Sequence, residues 1–373
     1  MKQRLAKNKS LPHASDQPLG DASQVQGQSA VTVRSVVKST IVVGAHLTGL
    51  SRLLAARYRG RGMIFALHSI VDDGTFYPDY TLRCPVGRLE RALQWLREQG
   101  LEFVSLNEAV RRLSLPTTRP FAAFTFDDGF ADNLTRALPI MERFAAPFTV
   151  YVTTGMITRD IDAWWFGLAA LVGSQERIAL PGLGLAFECP DSQSKMHAFK
   201  AIEAAIHNDF AVLPHVRAAI AENKTDCSAL VDREALTEQQ LRRLARHPLV
   251  TIGGHTTTHR NLAQASAAVV HWEMAENRKF LQATIDRPVV HFAYPFGHAR
   301  ACGDREAEIS RNVGFRTATT TRLGALFPQH AHHLHSLPRM HLAGDDTPST
   351  LRCKVDGVYQ AIQARLGDPV VRM

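Results

Sequence analysis

Two polar clusters carry residue types and spacings that suit chemistry: Asp127-Asp128-Gly129 and His255-Thr256-Thr257-Thr258-His259. Adjacent carboxylates repel each other unless a cation or a hydrogen-bond network compensates them, and Gly129 lets the backbone turn sharply behind them. Standing alone, such a triplet serves as a turn or as a helix N-cap, with Asp128 accepting from free N–H groups. The two imidazoles alter that balance. A lone histidine on an apolar face is ordinarily a core residue, but two placed four apart share one face of a helical turn, as a common metal ion requires. Two His and one Asp make three protein ligands and leave a position for water, the composition of a catalytic rather than a structural zinc-type site. Zinc is the expected divalent metal, and the same ligand types accept cobalt, nickel, iron or manganese.

Each cluster follows a short apolar run. Phe121–Phe126 and Val250–Ile252 read as buried strands, as do Met63–Leu67, Phe103–Leu106, Phe148–Val152, Val289–Ala293 and Thr317–Thr319. Helical spacing separates them over 86–99, 107–113, 266–284 and 304–313. Alternation of this kind gives an α/β fold with a parallel sheet, and seven or so strands suit a barrel better than an open sheet. In a barrel, the loops after the strands converge on one mouth, which is where both clusters fall. Residues 170–235 break the rhythm with a hairpin centred on Pro181-Gly182 and further helices, and read as a rim insertion without chemistry of its own.

The 373 residues include 45% hydrophobic and 21% charged residues, so the chain as a whole is globular. The formal charge of +8 is local: residues 1–62 hold ten of the 43 Lys/Arg and two of the 35 Asp/Glu, leaving 33 of each sign in the body. A neutral body argues against nucleic acid as a partner. The five scattered cysteines form neither a disulfide framework nor a zinc finger. Residues 1–29 read as a disordered polar tail and 30–61 as an amphipathic N-terminal helix; 62–350 hold the barrel and 351–373 a C-terminal helix or tail. The segment 31–58 packs on the body or lies on an anionic membrane, the first being preferred because Gly44 and modest basic content weaken the second. Without a signal-like or spanning run, the cytoplasm or its membrane face is the expected location.

The two clusters, in this order and each after a strand, resemble the polysaccharide deacetylases with a NodB-homology domain, carbohydrate esterase family 4, over about 62–345 without the insertion. The resemblance implies a distorted (β/α) barrel, Asp127 as general base, and Asp128, His255 and His259 as metal ligands. Phe292-Ala293-Tyr294-Pro295-Phe296-Gly297 is similar to a third family motif, placing Tyr294 and Phe296 at the substrate, with the Phe296 N–H on the oxyanion. Many members have an arginine where Ala293 stands, and that arginine orients the catalytic Asp; Arg316 or Arg339 can approach instead. Leu337–His341 resembles the closing motif, making His341 the general acid, and His68 stands near the pocket or in a core or capping role. His330, His332, His333 and His335 read as a solvated loop, and Trp164-Trp165 as an anchor of the insertion or a sugar-stacking wall. The implied activity is metal-dependent removal of N-acetyl groups from an N-acetylated glycan or a lipid-linked sugar. The alternatives are an N-deformylase, an O-deacetylase, or an inactive carbohydrate-binding protein.

Overall fold

The computed structural model describes residues 50–79 and 82–373. The expected tail over 1–29 and all of the 30–61 segment before residue 50, with most of its proposed membrane contact, lie outside the described residues. Leu50–Tyr58 is helical. No helix among the described residues is long and apolar enough to cross a membrane.

Among the described residues, eight strands form the main sheet: β1 (Gly62–Leu67), β2 (Glu102–Phe103), β3 (Phe121–Phe126), β4 (Phe148–Val152), β5 (Val250–Gly254), β6 (His291–Ala293), β7 (Thr317–Leu323) and β8 (Leu337–His341). Their order is β1-β8-β7-β6-β5-β4-β3-β2, and β1 also pairs with β3, so seven strands close into a barrel with β2 attached outside the ring. Every pairing in it is parallel. The barrel is distorted where β6, three residues long, meets β5 at one register pair, and where the register shifts between β7 and β8.

The apolar runs explain this arrangement. β1, β3 and β4 are buried along their whole length, because helices cover their outer face and the barrel interior their inner one. Ile64, Ala123, Tyr151, Ala293 and Leu337 share one cluster. Their strand neighbours Phe65, Phe124, Phe292 and Met340 pack instead with helix residues such as Leu89, Leu93 and Leu281. Tyr151 is wholly buried and demands small neighbours: a Cβ on Gly253 would stand 2.5 Å from its ring. No disulfide links the five cysteines, four of which are buried.

The rim insertion begins earlier than the sequence pattern indicates. Trp164–Ser174 is already a helix of this layer, followed by the hairpin Arg177–Leu180/Leu185–Glu188 at the expected place. Helices Ser192–Asn208, Leu213–Glu222 and Cys227–Glu234 complete it. Phe166, Leu168, Ile178, Phe199, Ile202 and Val216 give it an apolar core of its own, which also takes in Phe130 and Met156 from the barrel side. At the chain's end, helices Pro348–Val355 and Val358–Gln363 lead to Gly367, whose carbonyl accepts from Arg57 at 3.0 Å and from Tyr58 at 3.1 Å.

Candidate active site

The loops that leave the carboxyl ends of β1, β3, β5, β6 and β8 meet around a cavity of about 160 Å3. Asp127 and Asp128 come from β3, His255 and His259 from β5, Phe296 from β6, His341 from β8, and His68 from β1. Four non-glycine residues here adopt left-handed backbone: Asp128 (φ 75°), Thr256 (65°), His259 (53°) and Phe296 (61°). Such conformations cost on the order of 1–3 kcal/mol each and persist only where surrounding contacts impose them.

Those contacts are visible behind the histidine loop. Helical spacing predicts one turn over 255–259, but the segment is irregular. The rings converge because the loop is bonded from outside. Glu273 Oε2 accepts from the Thr257 and Thr258 N–H groups at 2.8 and 2.9 Å, and Asn277 Nδ2 donates to the Thr256 carbonyl at 2.6 Å. Both residues are fully buried on helix Ala267–Ile285. Reading the sequence missed them. The available signal was two polar residues at the core spacing of Val270, Met274 and Leu281.

Asp128, His255 and His259 offer one ligand atom each, all within 4.8 Å of one another. Asp128 Oδ1 lies 3.5 Å from His255 Nε2 and 3.3 Å from His259 Nε2. Ligand atoms about 2.0–2.2 Å from one tetrahedral ion stand roughly 3.3–3.6 Å apart, so both spacings suit a shared ion. His255 Nδ1 sits 2.7 Å from the Ala293 carbonyl, an acceptor, so Nδ1 donates to it and Nε2 is the ring nitrogen turned toward Asp128. Asp128 Oδ1 is buried and has no hydrogen-bond partner, a costly state that a cation relieves. The residues present therefore fit a divalent metal.

Asp127 is held differently. Arg339 donates to both of its oxygens, at 2.7 and 2.8 Å, and the same guanidinium donates to Thr125 Oγ1 and to the Thr320 carbonyl. The arginine side chain is wholly buried inside the barrel, 5.7 Å over the Tyr151 ring. Burial alone pushes the Asp127 carboxyl up; Arg339, His255 and His68 outweigh it and hold the pKa below the ordinary value. Arg339 thus stands where an arginine at position 293 would be needed, while Arg316 is committed to Asn107 Oδ1 at 3.0 Å.

The remaining expected residues divide. His68 and His341 line the cavity with stacked rings 6.4 Å apart, and His68 Nε2 lies 3.9 Å from Asp127 Oδ2. Burial, then the nearby charges of His68, Arg339 and Lys354, push the His341 imidazole down to about 3. Phe296 lines the cavity, its carbonyl fixed by the Thr321 hydroxyl at 2.6 Å. Tyr294 does not belong to this group: it is fully buried in the outer layer against Phe292, and its hydroxyl donates to the His335 carbonyl at 2.9 Å. The solvated-loop reading holds for His332 and His333 only. His330 is buried, accepting from the Phe327 N–H at Nδ1 and donating from Nε2 to the Val371 carbonyl, and His335 is buried beside Ser310. Trp164 and Trp165 are buried anchors of the insertion that also wall the cavity, with the Trp165 ring 4.9 Å from that of His259. The insertion further contributes Glu203 and His207, so it does take part in the site.

A family model described as polysaccharide deacetylase matches residues 114–318. No curated protein matches the sequence. Among solved structures, the chain is similar to a Streptococcus pyogenes deacetylase in complex with acetate, at 20% identity and TM-score 0.50, over 78% of this chain and 95% of that one. It is similar to a polysaccharide deacetylase from Bacillus cereus at 15% identity and TM-score 0.51, over 79% and 68%. A de-N-acetylase from Aggregatibacter actinomycetemcomitans matches at 13% identity and TM-score 0.51, over 79% and 99%. At these identities the structural likeness concerns the fold alone, the distorted (β/α) barrel described above.

Proposed function

The chain belongs to the polysaccharide deacetylase family, hydrolases of carbon–nitrogen bonds other than peptide bonds, and from that premise we propose that it is a metal-dependent N-deacetylase of an N-acetylhexosamine-containing glycan, releasing acetate. The observation that carries this reading is a carboxylate gripped by a buried arginine beside a three-ligand metal cradle in one cavity. Asp128, His255 and His259 would hold the ion, zinc being favoured by two imidazoles and one carboxylate. When bound, such an ion supplies Lewis-acid activation of a water molecule and of the acetyl carbonyl.

Asp127 is the base in this scheme. Its low pKa keeps it ionised, and both its oxygens are oriented by Arg339, so it enters the reaction ready to take the water's proton. The Phe296 peptide, fixed in a left-handed conformation by Thr321, offers its N–H to the tetrahedral oxyanion. With its pKa near 3, His341 begins the cycle as a neutral ring. The proton that reaches the leaving amine is then the one taken up beside it, with His341 and His68 on its path. Arg339 also supports catalysis over an inactive carbohydrate-binding protein, since it orients the base despite Ala293.

Acetate release across a panel of N-acetylated glycans, with and without chelator, tests the proposal. Chelator should abolish turnover and zinc or cobalt should restore it. Turnover indifferent to chelator would remove the metal from the mechanism, and formate or ester-derived acetate as the preferred product would turn the reading to the deformylase or the O-deacetylase.

A further inference from the structure

Helix Ser192–Asn208 buries Ala198, Phe199, Ile202 and Ile206 in the core of the insertion. Four-residue spacing carries an adjacent stripe from Phe199 to Glu203 and His207, so both polar side chains leave the same side of the helix, one turn apart. That side faces the catalytic cavity, which both residues line together with Asp127, Asp128 and Leu82. His207 is engaged there. Its ring stands 4.9 Å from that of Phe296 in an edge contact and 5.9 Å from that of His298, buttressing the oxyanion loop from the insertion side.

Glu203 has no part in the chemistry described above. It is half-buried, and it belongs neither to the ligand trio nor to the Asp127–Arg339 pair. Burial, reinforced by the neighbouring Asp79 carboxyl, pushes its pKa up to about 8. A carboxyl shifted this way holds its proton more readily, and a protonated carboxyl both donates and accepts hydrogen bonds. A sugar hydroxyl needs that pairing, since it too donates and accepts. In a cavity of about 160 Å3, a sugar whose acetamide points at the metal cradle must set its flanking hydroxyls against the remaining walls. Trp164, Trp165 and Leu82 offer apolar surface; Glu203 is the carboxyl that the insertion places among them.

We propose that Glu203 is a substrate-binding residue that hydrogen-bonds a hydroxyl of the N-acetylated sugar, so that the insertion decides which sugar the barrel deacetylates. This rests on the deacetylase reading, and the test separates the two. Wild-type protein, Glu203→Gln and Glu203→Leu are compared on β-1,4- and β-1,6-linked N-acetylglucosamine oligomers, and on 4-nitrophenyl acetate, which has an acetyl group but no sugar hydroxyl. The melting temperature and bound metal of each protein are measured alongside. Glu203→Leu should lower kcat/KM on the better oligomer by about 10–100-fold, mainly through KM. Hydrolysis of 4-nitrophenyl acetate and metal content should be unchanged, and Glu203→Gln, which keeps a donor and an acceptor, should recover most of the loss. Oligomer kinetics of Glu203→Leu equal to wild type, or parallel losses on both substrates, would overturn the role of Glu203 alone. Wild-type protein that releases no acetate from either oligomer while cleaving the aryl ester would overturn the deacetylase reading together with it.

Discussion

At the barrel mouth Asp127, His255 and the 256–258 loop each have a polar group behind them, whereas the insertion reaches the same cavity with side chains set by apolar packing. Asp127 leans on Arg339, His255 on the Ala293 carbonyl, and the 256–258 loop on Glu273 and Asn277. Trp164, Trp165 and helix Ser192–Asn208 are fixed by Phe166, Phe199, Ile202 and Ile206. Hydrogen bonds define position to a few tenths of an ångström and fail when one atom is missing. Apolar packing tolerates exchange provided that volume is kept. The mouth is accordingly built for one chemistry, and the insertion for adjustment of what that chemistry acts on.

The sharpest way to break this contrast is to swap single oxygens in the mouth. Asp127→Asn should lower kcat by about 10²–10⁴-fold with the metal retained, because the ligand trio is whole. Asp128→Asn should lose metal in proportion to activity, and excess metal should restore part of both. Elemental analysis beside steady-state kinetics separates the two, and equal metal loss in both variants would undo the division into base and ligand.

Next in size is Arg339→Met, which leaves Asp127 buried without its counter-ion. Removing one partner of such a pair costs about 3–5 kcal/mol, to be read from denaturant unfolding. Adding Asp127→Asn should return part of that loss, since the stranded charge is gone. A strictly additive double variant would mean that the pair does not organise the mouth.

Smaller again is Gly253→Ala. The new methyl meets the ring of a wholly buried tyrosine at 2.5 Å, and overpacking of this kind costs about 1–3 kcal/mol. Smallest should be Ile202→Val in the insertion, about 0.5–1.5 kcal/mol in stability with kcat unchanged. If Ile202→Val disturbed kcat more than Gly253→Ala, the insertion would be the more exacting of the two regions.

The same contrast governs what a reader of the sequence could see. Asp127, Asp128, His255 and His259 were legible because each lies in a contiguous motif directly after an apolar strand. Arg339 stood as one of two candidates, since local pattern does not reveal which strand of a closed ring faces Asp127. Tyr294 sits between Ala293 and Phe296, both near the site, yet its side chain points outward to His335. Two of the four clustered histidines are buried for a similar reason: their partners, Val371 and Ser310, are distant in the chain. The 255–259 turn misled because four-residue spacing fits a helix, while Thr256 and His259 adopt left-handed backbone that spacing cannot encode. The insertion was placed six residues late, Trp164–Phe166 being as apolar as the barrel before it.

The Asp127–Arg339 pair spans 212 positions of the chain, and this separation sets a timetable for assembly. At roughly 5–20 residues per second of synthesis, Asp127 waits about 10–40 s for its guanidinium. Over the same interval β1 lacks its neighbour β8, whose register pairs Phe65 with Met340, so the ring stands open with two unprotected strand edges. Closure of the barrel and completion of the Asp127–Arg339 pair are therefore one event, which waits for β8. A nascent chain halted before residue 337 already carries Asp128, His255 and His259, but it has neither a closed barrel nor Arg339 to hold Asp127. The three candidate ligands are thus made before the strand that closes the ring around them.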